Sequence, residues 1–75
     1  MPLEILDLLN FMRVNKLTVG KMFNDMHGIV SRQNFEAALK DARFTPKDPQ
    51  KLIEILDPKG NRLSVNLDKL NDYLR

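Results

Sequence analysis

Apolar residues in the first part of the chain recur with the period of an α-helix. Over residues 2–14 they predict one amphipathic helix that is apolar around much of its circumference. Pro2 fits the first turn of this helix, where a missing backbone N–H costs little. The face with helical spacing consists of Ile5, Leu8, Leu9 and Met12.

Two shorter helices are predicted over residues 17–43. Thr18 is a suitable N-cap for the first, and Ser31 for the second, because a hydroxyl oxygen can accept a hydrogen bond from a first-turn N–H. Residues 29–30 predict a very short strand between them. The apolar residues of the first helix are Leu17, Val19, Met22, Phe23 and Met26, and those of the second are Phe35, Ala38, Leu39 and Ala42.

The second half of the chain follows the same order. Thr45 and Pro46 predict the start of the next helix, which is expected to stop at the turn-rich residues 57–61. Residues 63–65 predict another short strand, and Asn66 is a suitable N-cap for a last helix. The core faces of these two helices are Leu52, Ile53 and Leu56 in the first and Leu67, Leu70, Tyr73 and Leu74 in the second.

Length and composition narrow the class of protein. The 75 residues suffice for a single domain over 1–75, and 43% apolar with 29% charged residues is an ordinary globular composition. The lack of cysteine excludes a disulfide framework, a thiolate nucleophile and a Cys-ligated zinc site. The longest apolar stretch is far shorter than the roughly 20 residues that cross a bilayer, and it lacks the basic leader of a signal peptide. We therefore expect a soluble cytoplasmic domain.

The distribution of the basic residues does not favour a nucleic-acid-binding surface. Lys and Arg number 12 against 10 Asp and Glu, and they are spread along the whole chain, whereas nucleic-acid binders usually concentrate charge on one face. The nearest approach to a patch is residues 40–51, which Asp41 and Asp48 interrupt. A small basic helical nucleic-acid-binding domain, with the helix over residues 31–42 as its reader, stays an alternative. Its contacts would be Arg32, Gln33, Asn34, Lys40 and Arg43.

The sequence contains no recognisable catalytic motif. The single histidine, His27, has no serine or aspartate placed to form a triad motif, and the three glycines form no phosphate-binding motif. We therefore expect neither enzyme activity nor a small-molecule substrate.

The two halves of the chain resemble each other at an offset of 35 residues. Each half predicts a helix, a loop, one β-type residue, an N-cap and a second helix. The matched pairs are Val30 with Val65, Ser31 with Asn66, Phe35 with Leu70, Ala38 with Tyr73 and Leu39 with Leu74.

Residues 28–39 and 56–65 resemble the EF-hand family, in which two helix-loop-helix units pair through short strands in their loops. The first segment includes the loop glycine, Gly28, and the aromatic residue after the loop, Phe35. The resemblance implies an all-α fold, namely an EF-hand-like pair with a minimal two-stranded β contact, preceded by an extra N-terminal helix. The implied division is 1–15 for that helix, 16–43 for the first unit and 44–75 for the second.

Loop one lacks the ligands of a calcium site. An EF-hand loop offers oxygen ligands at its first, third, fifth, seventh, ninth and twelfth positions, with glycine at the sixth and a bidentate glutamate at the end. If Gly28 is that glycine, only Asn24 and Asp25 remain as upstream oxygen ligands, and Asn34 stands where the glutamate belongs. Loop one is therefore not expected to bind calcium.

Loop two allows two registers. Counting from Asp57 puts Asn61 fifth and Asp68 twelfth, but a lysine stands third, where its charge opposes the metal. The hydrophobic pattern instead places Val65 opposite Val30, and that burial is worth roughly 1 to 2 kcal/mol. We prefer the hydrophobic register and predict no cofactor and no metal. A one-site calcium sensor that uses Asp57, Asn61 and Asp68 stays an alternative.

The loss of metal ligands with retention of the core face predicts a calcium-independent protein-protein interaction module, a scaffold or adaptor. The EF-hand resemblance implies that its apolar groove binds an amphipathic helix, in a cytoskeletal, ciliary or signalling context. The N-terminal helix either fills that groove itself, or projects and pairs with a partner helix or a second copy of the chain. Membrane binding is not expected, since this helix carries Glu4 and Asp7 against Arg13 as its only cation. The predicted partner-binding residues are Ile5, Leu8, Leu9, Met12, Met22, Phe23 and Met26.

Overall fold

The computed structural model describes residues 1–74 and confirms a predominantly helical chain with one small β contact. Within these residues there are five helices and two strands, and the two strands pair in an antiparallel sheet. In chain order the elements are α1 (Leu3–Val14), α2 (Val19–Met22), β1 (Ile29–Ser31), α3 (Arg32–Asp41), α4 (Pro49–Leu56), β2 (Ser64–Asn66) and α5 (Leu67–Tyr73).

Strands β1 and β2 join the two halves of the chain in the register that the hydrophobic pattern predicts. Their pairs are Ile29 with Asn66, Val30 with Val65 and Ser31 with Ser64. The side chain of Val65 is fully buried. Strand β2 begins one residue later than predicted. Leu63, just before it, is exposed, and its carbonyl accepts a hydrogen bond from the Arg32 N–H at 3.0 Å. The hydrophobic register of loop two is thus confirmed.

Three predicted N-caps hold their helices as expected. The side-chain oxygens of Thr18, Ser31 and Asn66 each accept a hydrogen bond from a first-turn N–H, at 3.1, 3.1 and 3.0 Å. These bonds pair N–H groups that have no partner within the helix itself. The caps therefore fix where α2, α3 and α5 begin.

The predicted start of α4 is wrong. The helix begins at Pro49, and Asp48 rather than Thr45 caps it, since the Asp48 carboxylate accepts a hydrogen bond from the Lys51 N–H at 3.1 Å. A proline disfavours helical geometry in the residue before it. Pro49 thus prevents the helix from beginning further upstream, and residues 42–48 form the connection between α3 and α4.

The hydrophobic core is shared by all five helices and the β contact. Helix α1 packs against α4, and α5 packs against both α2 and α4. At its centre, the fully buried rings of Phe23 and Phe35 stack with their centroids 5.3 Å apart. The buried apolar residues are Ile5, Leu8, Leu9, Met12, Val19, Met22, Phe23, Phe35, Ala38, Leu39, Leu52, Ile53, Leu56, Val65, Leu67 and Leu70.

Two serines that face each other across the β contact should respond oppositely to alanine. Ser31→Ala removes the N-cap of α3 and should lower the free energy of unfolding by about 1 kcal/mol. Ser64 Oγ is buried and has no hydrogen-bond partner among residues 1–74, so Ser64→Ala should leave stability unchanged or raise it by up to about 1 kcal/mol. Urea denaturation at pH 7 measures both effects, and equal losses in the two variants would contradict this account.

Candidate functional site

Loop two is closed by hydrogen bonds to the carboxylate of Asp57. Its Oδ1 accepts from the N–H groups of Lys59 and Gly60, at 2.9 and 3.0 Å, and its Oδ2 accepts from the Arg62 N–H at 2.6 Å. Gly60 and Arg62 both adopt left-handed backbone geometry, with φ of 73° and 60°. The loop therefore wraps its own N–H groups around the oxygen atoms that an EF-hand loop would offer to calcium.

The other two candidate calcium ligands are also engaged by backbone N–H groups. Asn61 Oδ1 accepts from the Leu63 N–H at 3.0 Å. Asp68 Oδ1 accepts from the Gly28 N–H in loop one, at 3.2 Å. Within residues 1–74 no group of three or more His, Cys, Asp or Glu side chains is arranged to hold a metal ion. The structure thus gives each of the three candidate oxygens a local structural role.

The hydrogen bonds in loop two lower the pKa of the Asp57 carboxyl below its ordinary value. The Arg62 N–H contributes most, followed by the Lys59 N–H, while partial loss of hydration acts in the opposite direction. The Gly60 N–H and the positive charge of Arg62 lower the pKa further. The Arg62 guanidinium is also paired with the carboxylate of Glu54 on α4.

The residues predicted to bind a helical partner, or the chain's own N-terminal helix, lie in or against the core. The side chains of Met22 and Phe23 are at most 5% exposed, and Met26 is partly buried against the core. Helix α1 packs its own apolar face against the other helices, which is the arrangement of the alternative in which this helix fills the groove itself. The α1 residues that do so are Ile5, Leu8, Leu9 and Met12.

A different apolar groove is open on the surface, between α3 and α4. Its volume is about 360 Å³, and the connection between the two helices forms one of its walls. Small-molecule and side-chain pockets in proteins run from about 300 to 1,000 Å³, so this groove is of modest size. Its apolar lining consists of Phe35, Leu39, Leu52 and Ile53, which are at most 4% exposed, and of Phe44, Pro46 and Pro49, which are partly or fully exposed; its polar lining consists of Arg32, Glu36, Lys40 and Thr45.

Phe44 gives the groove its shape. Its ring packs against the ring of Phe11 on α1, with centroids 5.0 Å apart, and this contact holds the connecting segment in place. The sequence pattern does not predict the groove, because Thr45 and Pro46 fit the start of a helix. The available signal was an aromatic residue followed by two prolines between two amphipathic helices, which predicts a rigid apolar loop rather than a helical turn.

Comparisons of the chain with models of protein families, with curated proteins and with solved structures give no match. No helix among residues 1–74 has the length and apolar character needed to span a membrane.

Acid should weaken loop two through Asp57. Because its folded pKa lies below the unfolded value of about 3.9, its contribution to stability is complete above that value and is lost as the pH falls through the folded pKa. We expect Asp57→Asn to be less stable than the wild type at pH 7 and to lose less stability between pH 5 and pH 3. Urea denaturation across this range measures both quantities.

A matched control for this prediction is Asp72→Asn. The Asp72 carboxylate on α5 accepts no hydrogen bond within residues 1–74, so this variant makes the same change of side chain and leaves the hydrogen bonds of loop two in place. The same acid-induced loss in Asp57→Asn and in the wild type would contradict the role of Asp57.

Proposed function

We propose that this chain is a degenerate EF-hand pair that works as a calcium-independent protein-protein interaction module. Its partner would be an amphipathic helix, and the binding surface would be the groove between α3 and α4. The groove itself, with the partly or fully exposed Phe44, Pro46 and Pro49 in its lining, is the single observation that carries this proposal. In helix-in-groove recognition an amphipathic helix lays its apolar face into an apolar groove.

The EF-hand part of the proposal is supported by the way the two halves meet. The two loops pair through one antiparallel contact centred on Val30 and Val65, and a capped helix leaves each strand at once. Ser31 and Asn66, the matched caps of the internal repeat, both accept first-turn N–H groups. Repeated units that cannot bury their apolar faces alone are expected to pack in this way.

The lack of a calcium switch in this proposal follows from the hydrogen bonds of loop two. A cation would have to displace three N–H donors from Asp57 and draw Asp68 away from Gly28. A module of this kind would be a fixed scaffold, since no change of bound charge would drive a closed-to-open transition.

The nucleic-acid alternative receives less support from the predicted reading helix. Arg32 is paired with Glu36 at 2.7 Å, so one predicted phosphate or base contact is neutralised by a carboxylate on the same surface. An acidic side chain in this position repels the phosphate backbone.

Calcium should leave the protein unchanged. We expect ¹⁵N correlation spectra recorded in excess EDTA and after addition of millimolar calcium to superimpose, because the candidate oxygens are already hydrogen-bonded. Shifts confined to residues 57–68 that disappear in Asp57→Ala and in Asp68→Asn would instead establish the one-site sensor.

Filling the groove should abolish helix binding. The probe is a designed amphipathic peptide with Leu and Phe on one face and Gln on the other, titrated into the ¹⁵N-labelled protein. Thr45→Trp places an indole at the exposed edge of the groove and should weaken binding by about tenfold or more, because the indole competes with the peptide for the same apolar surface.

The matched control for the groove is Val14→Trp. Val14 is 80% exposed at the end of α1 and does not line the groove, so this variant adds the same indole elsewhere and should bind as the wild type does. Equal binding by both variants would place the peptide on another surface and would contradict the proposed site.

A further inference from the structure

The four serine and threonine hydroxyl groups of the chain differ in what they contact. The side-chain oxygens of Thr18 and Ser31 cap helices, and each accepts a first-turn N–H at 3.1 Å. Ser64 Oγ is buried at the β contact. The Thr45 side chain is exposed, and its hydroxyl forms no hydrogen bond within residues 1–74. Thr45 therefore carries the hydroxyl that an enzyme can reach without displacing a helix cap or opening the core.

The backbone around this hydroxyl is also free of hydrogen bonds. No N–H or C=O group of residues 45–47 bonds to another group in the part of the chain that the structure describes. Before this segment, the Phe44 N–H donates to the Leu39 carbonyl at 2.9 Å. After it, the Asp48 carbonyl accepts from the Leu52 N–H at 3.1 Å. An enzyme can therefore bind residues 45–47 in an extended conformation without breaking an intramolecular hydrogen bond.

Pro46 favours an extended backbone at Thr45. A proline disfavours helical geometry in the residue before it, and Thr45 lies in an irregular stretch, residues 44–46, between α3 and α4. Phe44 and Pro46, on either side, are partly buried, and the Phe44 ring packs against the Phe11 ring with centroids 5.0 Å apart. The neighbours of Thr45 are thus held to the protein while its own side chain is exposed.

We infer that Thr45 is a phosphorylation site for a Ser/Thr protein kinase that requires proline after its target residue. Thr45 Oγ1 attacks the γ-phosphorus of ATP and forms an O–P bond, while the bond from the γ-phosphorus to the β–γ bridging oxygen breaks. ADP leaves, and the hydroxyl proton passes to the kinase or to water. Pro46 defines the class of kinase, because it has no N–H to donate. A kinase that must accept a hydrogen bond from the residue after its target is excluded.

A phosphate on Thr45 would also alter the groove between α3 and α4, since this side chain belongs to the groove lining. A phosphothreonine carries a charge of about −1.5 to −2 at pH 7, and in an apolar contact such a group is costly to desolvate. Phosphorylation would therefore release a helix bound in the groove. This consequence rests on the proposed function, whereas the modification site itself does not.

The experiment incubates the full, folded chain with ATP, Mg²⁺ and a purified proline-directed Ser/Thr kinase. Mass spectrometry of the intact protein follows the gain of one phosphoryl group, and fragment spectra identify the modified residue. A synthetic peptide of residues 40–51 serves as the unfolded reference substrate. We expect modification at Thr45, at a rate within about tenfold of that of the peptide, because local opening of this segment breaks no hydrogen bond.

Three variants serve as controls for the site. Thr45→Val should abolish the mass gain, and Pro46→Ala should lower the rate in the folded chain and in the peptide alike. Thr18→Asn removes the other exposed threonine hydroxyl but keeps a side-chain oxygen for the Lys21 N–H, so it should be phosphorylated as the wild type is. Retained circular dichroism and thermal denaturation show that each variant is folded.

Three outcomes would overturn the phosphorylation site. In the first, the folded chain reacts more than about tenfold more slowly than the peptide, which would show that the fold hides Thr45. In the second, the mass gain persists in Thr45→Val. In the third, neither the folded chain nor the peptide reacts.

The effect on the groove is measured separately, by titrating the Leu and Phe peptide described above into the chain before and after phosphorylation. We expect the phosphorylated chain to bind this peptide about tenfold more weakly. Equal binding by the two forms would overturn the release of the helix. An unmodified chain that binds no peptide would overturn the proposed function, and phosphorylation of Thr45 would still stand.

Discussion

The contact between the two loops is the constraint on which the rest of this structure depends. Val65 is fully buried opposite Val30, and hydrogen bonds extend the ladder at both ends. At one end the Leu67 N–H donates to the Gly28 carbonyl at 2.8 Å. A chain of this size buries too little apolar surface for either half to be stable alone. Because α3 and α5 begin at the residue after each strand, the loop contact also fixes the direction of both helices.

Local chemistry explains why much of the fold could be predicted from the sequence. The caps Thr18, Ser31 and Asn66 and the pairing of Val30 with Val65 depend only on nearby residues and on one repeated pattern. The start of α4 was mispredicted because two prolines compete for the same role, and Pro49 is the one that precedes an uninterrupted helix. The position of α1 was left open between two alternatives. The amphipathic face of α1 is equally suited to a docked helix and to a projecting one, so periodicity alone cannot separate them.

The side-chain oxygens of loop two accept hydrogen bonds from the backbone. Asp57 accepts three backbone N–H groups, and Asp68 reaches across to the Gly28 N–H of the other loop. In a calcium-binding loop the same oxygens point inward at the ion. Here they organise the polypeptide itself, and the cross-loop bond from Asp68 ties the two halves together close to their β contact. The sequence predicts a turn at residues 57–61. That three backbone N–H groups converge on the Asp57 carboxylate depends on the left-handed geometry at Gly60 and Arg62, which the sequence pattern does not predict.

Helix α1 sets a lower limit on the length of a fragment that keeps the groove and a covered core. It supplies four of the sixteen buried apolar residues of residues 1–74, and its Phe11 also supports Phe44 at the wall of the groove. A fragment that began after α1 would retain the residues of the β contact and of the four side-chain caps of α2 to α5, yet it would expose the surface that those four residues cover. Exposed apolar surface of that kind promotes self-association. To graft the groove into another protein, α1 must therefore be included, even though no residue of that helix lines the groove.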